Sequence, residues 1–92
     1  MDPITPGSTG AAVEDIQERL VKLGYTIEDD ERQSHTFGKS TARAVARFRL
    51  DHDLSLGEEV DASTWAIMVD EGYELGDRTL YLRLPNFHGN DV

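Results

Sequence analysis

The side chains that could do chemistry are thinly spread. The chain has three histidines, His35, His52 and His88, and no cysteine. A thiol nucleophile, a disulfide and a thiolate metal site are therefore excluded. No His-Glu-x-x-His, Gly-x-Ser-x-Gly or phosphate-cradling glycine loop occurs, so the short signatures of metalloproteases, serine hydrolases and nucleotide enzymes are missing. Asp51-His52-Asp53 offers zinc-ligand types in a row, but adjacent side chains on a helix diverge and cannot meet one ion. Glu28, Asp29, Asp30 and Glu31 crowd one segment without the alternating spacing that wraps calcium. No metal and no cofactor are expected. Glu58-Glu59 reads as the solvated part of a turn, and a glycosidase would need a deep cleft between two positioned acids. The charged feature that stands out has the opposite sign: Lys39, Arg43, Arg47 and Arg49 fall along one helical stretch. Its ordinary reading is a solvated face paired with nearby acids. Its sharper reading is a contact surface for an anionic group.

Few elements are available to position these groups. The chain has 92 residues, enough for one domain with a single small core. It carries 18 acidic and 9 basic side chains and a net charge of -9, which argues against nucleic acid as a partner. No apolar run is long enough to span a bilayer, and the first residues lack the pattern of a secretion signal. We expect a fragment of a longer protein, or a chain that starts inside the cell.

Hydrophobic spacing predicts three helices. Val13, Ile16, Leu20 and Leu23 make one stripe over Ala11–Leu23, with Gly24 as a left-handed stop and Tyr25 folding back behind it. The acidic stretch from Thr26 to Thr36 reads as a solvated loop. A second helix starts near Gly38 and ends near His52-Asp53, burying Thr41, Ala44, Val45 and Phe48; Leu54 and Leu56 then return to the core. Asp61 caps a third, with Val60 and Trp65 at the spacing of a hydrophobic staple. Ala62, Trp65, Met68 and Val69 form its inner face and Gly72 ends it. Thr79–Leu84 alternates apolar and polar residues and reads as an extended linker or short strand. Asp70 and Glu71 on the last helix, without Lys or Arg, do not suit a DNA-reading helix.

The order of these residues resembles the peptidoglycan-binding domain family of bacterial wall hydrolases. The resemblance runs through Ile4, Gly7-Ser8-x-Gly10, Val13, Ile16-Gln17, Leu20 and Leu23-Gly24-Tyr25. It continues through Phe37-Gly38-x-x-Thr41-x-x-Ala44-Val45-x-x-Phe48, Leu54, Val60 and Thr64-Trp65-x-x-Met68. The family's Asp-Gly-x-Phe-Gly turn is here Ser34-His35-Thr36-Phe37-Gly38, its second such turn is Gly57–Asp61, and Arg49 and Asp53 stand where Gln and Gly are typical. The resemblance implies an all-α fold: a small three-helix bundle with an extended C-terminal tail. Residues 1–74 would form the domain. Residues 75–92 would form a linker and the truncated start of a second, similar repeat, since Pro85–Val92 echoes Pro6–Val13 with Gly89 against Gly10. Gln17 and Thr41 would hydrogen-bond to nearby loop backbone.

Functionally, the resemblance implies a non-catalytic module that binds peptidoglycan and targets an attached or downstream amidase, as in tandem-domain actinobacterial amidase-type proteins. The alternative is a degenerate module acting as a protein-interaction or regulatory domain in wall metabolism. By analogy, Tyr25, His35, Phe37, Arg43 and Arg47 are the ligand-binding candidates, the arginines through stem-peptide carboxylates. Trp65 reads as core. The setting would be the cell wall if the parent is secreted, and the cytoplasm otherwise.

Overall fold

The computed structural model describes residues 2–83, with side chains through Gly72. Among the described residues it contains four helices: α1 (Ala11–Lys22), α2 (Asp29–Ser34), α3 (Lys39–Asp51) and α4 (Ala62–Arg83). α1 packs against both α3 and α4. Two isolated antiparallel bridges, Ile4 with Val60 and Thr9 with Thr36, tie the N-terminal segment across the loops that lead into α4 and α3. The fold is all-α, as the pattern implied, with one helix more than expected.

The core forms where the apolar stripes meet. Val13, Ile16 and Leu20 of α1 face Val45 and Phe48 of α3 and Met68 of α4, all at 0% exposure. Ile27, Phe37 and Val60, from the segments between the helices, are buried in the same cluster. Each large side chain withdrawn in this way contributes about 1.5–3 kcal/mol before ordering entropy is subtracted. Leu54 is half-buried, but Leu56 stays 81% exposed, so only the first of that pair returns to the core. Ala62 is likewise exposed; Thr64 takes the buried place in the first turn of α4.

Both α1 and α3 stop by the same device. The Gly24 amide donates to Val21 O and the Tyr25 amide to Leu20 O, with Gly24 at φ 101. On α3 the Asp53 amide donates to Leu50 O and the Leu54 amide to Arg49 O, with Asp53 at φ 60. These paired bonds satisfy the last carbonyls of each helix. An L-residue in that left-handed position is strained, whereas glycine adopts it freely.

The acidic segment read as a loop holds α2, and α2 organises the start of α3. The N-cap of α3 is Gly38, which has no side chain to offer the free amides of the first turn. Glu31 of α2 fills that role from outside the helix. Its carboxylate accepts from the amides of Gly38 (3.2 Å), Ser40 (2.9 Å) and Thr41 (2.9 Å) and from the Thr41 hydroxyl (2.7 Å). The Ser40 hydroxyl in turn accepts from the Glu28 amide at the start of α2 (3.0 Å). Gln17 of α1 completes the junction, donating to Glu31 O, Thr36 O and Thr41 Oγ1. Gln17 thus meets loop backbone as expected, while Thr41 bonds to side chains. A β-carbon at Gly38 would stand 2.6 Å from the Glu31 Cδ, so glycine here makes room for the carboxylate.

α4 is capped by its own residue. Asp61 Oδ1 accepts from the Thr64 amide (2.9 Å) and hydroxyl (2.6 Å). The helix then runs through Gly72 to Arg83. Gly72 does not end it, and Thr79–Arg83 is helical where an extended linker or strand was expected. A glycine inside a helix costs about 1 kcal/mol relative to alanine, which continued helix on both sides can absorb. The proposed start of a second repeat, Pro85–Val92, lies outside the described residues.

Two outcomes follow for stability. Burial pushes the Glu31 carboxyl up, but the bonds from Ser40 and Thr41 overcome it and hold its pKa down from 4.5 to about 2. Stability from this group is complete above its unfolded pKa and is lost as pH falls toward 2. Glu31→Gln should cost about 1–2 kcal/mol at neutral pH and flatten the melting-temperature decline between pH 5 and 2, as read by circular dichroism. An equally steep decline in the variant would count against the junction. Asp53→Gly should raise stability by about 0.5–1 kcal/mol in urea unfolding.

Candidate functional site

The basic residues of α3 divide into two groups. Lys39, Arg43 and Arg47 follow one another at intervals of four on the outer side and are exposed. Arg49 turns inward and is only 2% exposed. This corrects its reading as a surface charge: position 49 lies four residues after Val45, at the edge of the buried stripe. Its guanidinium donates to Ser55 O (3.0 Å), Ser55 Oγ (3.0 Å), Glu59 O (3.2 Å) and Thr64 Oγ1 (2.6 Å). Asp61 Oδ1 lies 3.5 Å away and Glu59 Oε2 4.0 Å away. Thr64's hydrogen bonds, with help from the Arg49 charge, hold the Asp61 carboxyl below the usual range. Arg49 therefore pins the α3–α4 loop and is unavailable to a ligand.

Arg43 stands between two clefts. The larger, about 510 Å³, is lined by Pro6, Phe37, Lys39, Ala46 and Glu58 together with Arg43. The smaller, about 340 Å³, is lined by Tyr25, Glu28, Ser40 and Arg47 together with Arg43. Arg47 Nε lies 3.3 Å from Asp51 Oδ1, and Tyr25 donates its hydroxyl to Asp51 Oδ2 at 2.7 Å. The Tyr25 ring meets Phe48 edge-on at 5.9 Å, so its body packs while its oxygen faces out. Burial and then the Asp51 carboxylate push the phenol up to about 12. Arg43 and Lys39 have no ion-pair partner among the described residues.

Of the five sequence candidates, Tyr25, Phe37, Arg43 and Arg47 are thus brought to one face. Phe37 is a core ring at 1% exposure that only reaches the floor of the larger cleft. His35 sits elsewhere. Its Nε2 lies 3.7 Å from Glu14 Oε2, beside a cleft of about 440 Å³ that Glu18, Asp29 and Arg32 also line. Lys39, one turn before Arg43, also lines the larger cleft; it was in the basic stretch the sequence shows but not among those five candidates. Trp65 packs partly into the core and carries the Arg19 guanidinium over its ring at 5.1 Å.

Asp51, His52 and Asp53 diverge as their adjacency requires. Asp51 turns to Tyr25 and Arg47. His52 Nδ1 donates to Phe48 O (2.9 Å), and its Nε2 faces Glu71 Oε1 at 3.8 Å. Among the described residues, no three His, Asp or Glu side chains converge on a metal-sized point. None of their helices is long and apolar enough to cross a membrane.

This arrangement of short helices, with a loop-pinned core and shallow clefts along one outer helix, is that of a small binding module. Residues 9–68 match the peptidoglycan binding domain family. The chain belongs to that family and is a non-catalytic peptidoglycan-binding module. It is similar in structure to the N-terminal domain of SleB, with a TM-score of 0.69, 26% identity and coverage of 77% of this chain and 93% of that one. It is also similar to a peptidoglycan-binding protein from Clostridioides difficile, solved with glutamine hydroxamate. There the TM-score is 0.65 at 28% identity, over 73% of this chain and 40% of that one. No curated protein shows significant sequence similarity to the chain.

The two classes of arginine should separate by mutation. Arg49→Leu should cost about 3 kcal/mol, because it strands the polar groups that the guanidinium satisfies. Arg43→Ala should leave the melting temperature within a degree or two, as expected for an exposed side chain. Thermal melts of the two variants check this directly.

Proposed function

We propose that the module holds an attached wall-degrading enzyme, an amidase in the reading the sequence resemblance favours, against peptidoglycan through the outer face of α3. The observation that carries this is Arg43: an exposed guanidinium between two clefts, with no ion-pair partner among the described residues, in a chain whose net charge is -9. An isolated positive stripe on an acidic molecule draws an anionic polymer to one face and repels it elsewhere. Shallow, open clefts imply modest affinity per copy. A second copy on the same polypeptide, which residues 75–92 would introduce, would raise retention through effective concentration. The setting of such a protein is the cell wall.

The test is co-sedimentation with insoluble peptidoglycan. Wild-type chain should pellet at moderate salt, and the Arg43→Ala/Arg47→Ala pair should stay largely in solution. Retention of that double variant at the wild-type level would move the contact to another face. A clean supernatant for the wild type would remove the targeting role and favour a regulatory interaction domain.

A further inference from the structure

If the α3 face meets the wall polymer, its chemistry also selects which part of the polymer it meets. Peptidoglycan offers neutral acetylated sugars and short peptides that carry free carboxylates and amines. Protein sites for neutral sugars use exposed aromatic faces as stacking platforms. Among the described side chains that platform is missing from the α3 face. Phe37 is buried, and the Tyr25 ring is packed edge-on against Phe48. Trp65, on another helix, is occupied by Arg19.

What the face does offer is charge in alternation. Arg43 is the shared wall of the two clefts, Lys39 stands in one and Arg47 in the other. Each cleft also holds one carboxylate, Glu58 in the larger and Glu28 in the smaller. Arg47 is already engaged by Asp51, which leaves Arg43 as the guanidinium able to form a new two-pronged bond. The larger cleft adds small apolar surface from Pro6, Ala42 and Ala46, the size of methyl side chains.

Resting on the functional reading above, we infer that the module recognises the peptide stem of peptidoglycan and not its glycan strand. Arg43 clamps a peptide carboxylate on the ridge. Short apolar side chains of the peptide lie in the larger cleft, and the acids of the two clefts disfavour a second carboxylate beside the first. Arg43 is the specificity-determining residue, and Lys39 supplies field strength without bidentate geometry.

The experiment uses the whole chain and three probes: a soluble disaccharide-peptide with free carboxylates, the same fragment with its carboxylates amidated, and glycan strands stripped of peptide, with the lactyl carboxylates that stripping frees capped as amides. Binding is read by isothermal titration calorimetry, alongside co-sedimentation with intact peptidoglycan. The free-carboxylate fragment should bind, and amidation or Arg43→Gln should weaken it about tenfold or more. Arg43→Lys should recover only part of the loss, and stripped glycan should not compete. If stripped glycan competes as well as the intact fragment, or Arg43→Gln binds normally while retaining the wild-type melt, the inference fails even though co-sedimentation succeeds. If wild type does not co-sediment at all, the functional reading fails and takes this inference with it.

Discussion

One carboxylate holds the architecture in register. Helix α3 begins on a glycine that cannot cap it, so its first amides depend on Glu31, a residue of a different helix. A negative charge at that end also complements the helix dipole. Because the Thr41 hydroxyl passes the contact on to Gln17, three helices are fixed relative to one another by a single hydrogen-bonded knot. The apolar core would tolerate small slides between helices, since hydrophobic contact is non-directional. Directional bonds at one end are what fix where the outer face of α3 points.

The far end of α3 uses the opposite charge for a similar task. Arg49 is buried at the cost of its hydration, and five polar partners around it offset that cost. Leu54 and Val60 anchor the two ends of the loop between α3 and α4, and between them, where Leu56 is exposed, bonds from this guanidinium order the backbone. One helix therefore carries arginines with two separate duties. Position 49 stabilises the frame, and position 43, six residues earlier and on the other side, is exposed with no ion-pair partner among the described residues.

Much of this is legible in the sequence. The stripe Val13, Ile16, Leu20 is a helical period that no strand could satisfy, and Gly24 and Asp61 mark helix ends by conformational and capping chemistry that acts locally. Reading failed where the deciding interaction is distant in sequence. α2 is short and polar, with no buried residue, so it leaves no apolar period to detect; its stability comes from docking Glu31 onto residues seven to ten positions later. Arg49 looked like its neighbours because burial of a charge depends on acceptors supplied by another loop. Analogy with the family sets His35 beside Phe37 and Arg43 as a ligand candidate, yet the left-handed turn at His35 sends it toward Glu14 and away from the clefts. Gly72 carries a stop signal that the continuing α4 overrides.

The proposed contact between the wall polymer and the outer face of α3 can be located residue by residue. Amide chemical-shift mapping with a soluble peptidoglycan digest tests this most directly. The largest shifts should cluster at Tyr25, Gly38–Arg47 and Glu58, with Glu14, Arg32 and His35 unmoved. Shifts centred on the His35 cleft, with α3 silent, would contradict it.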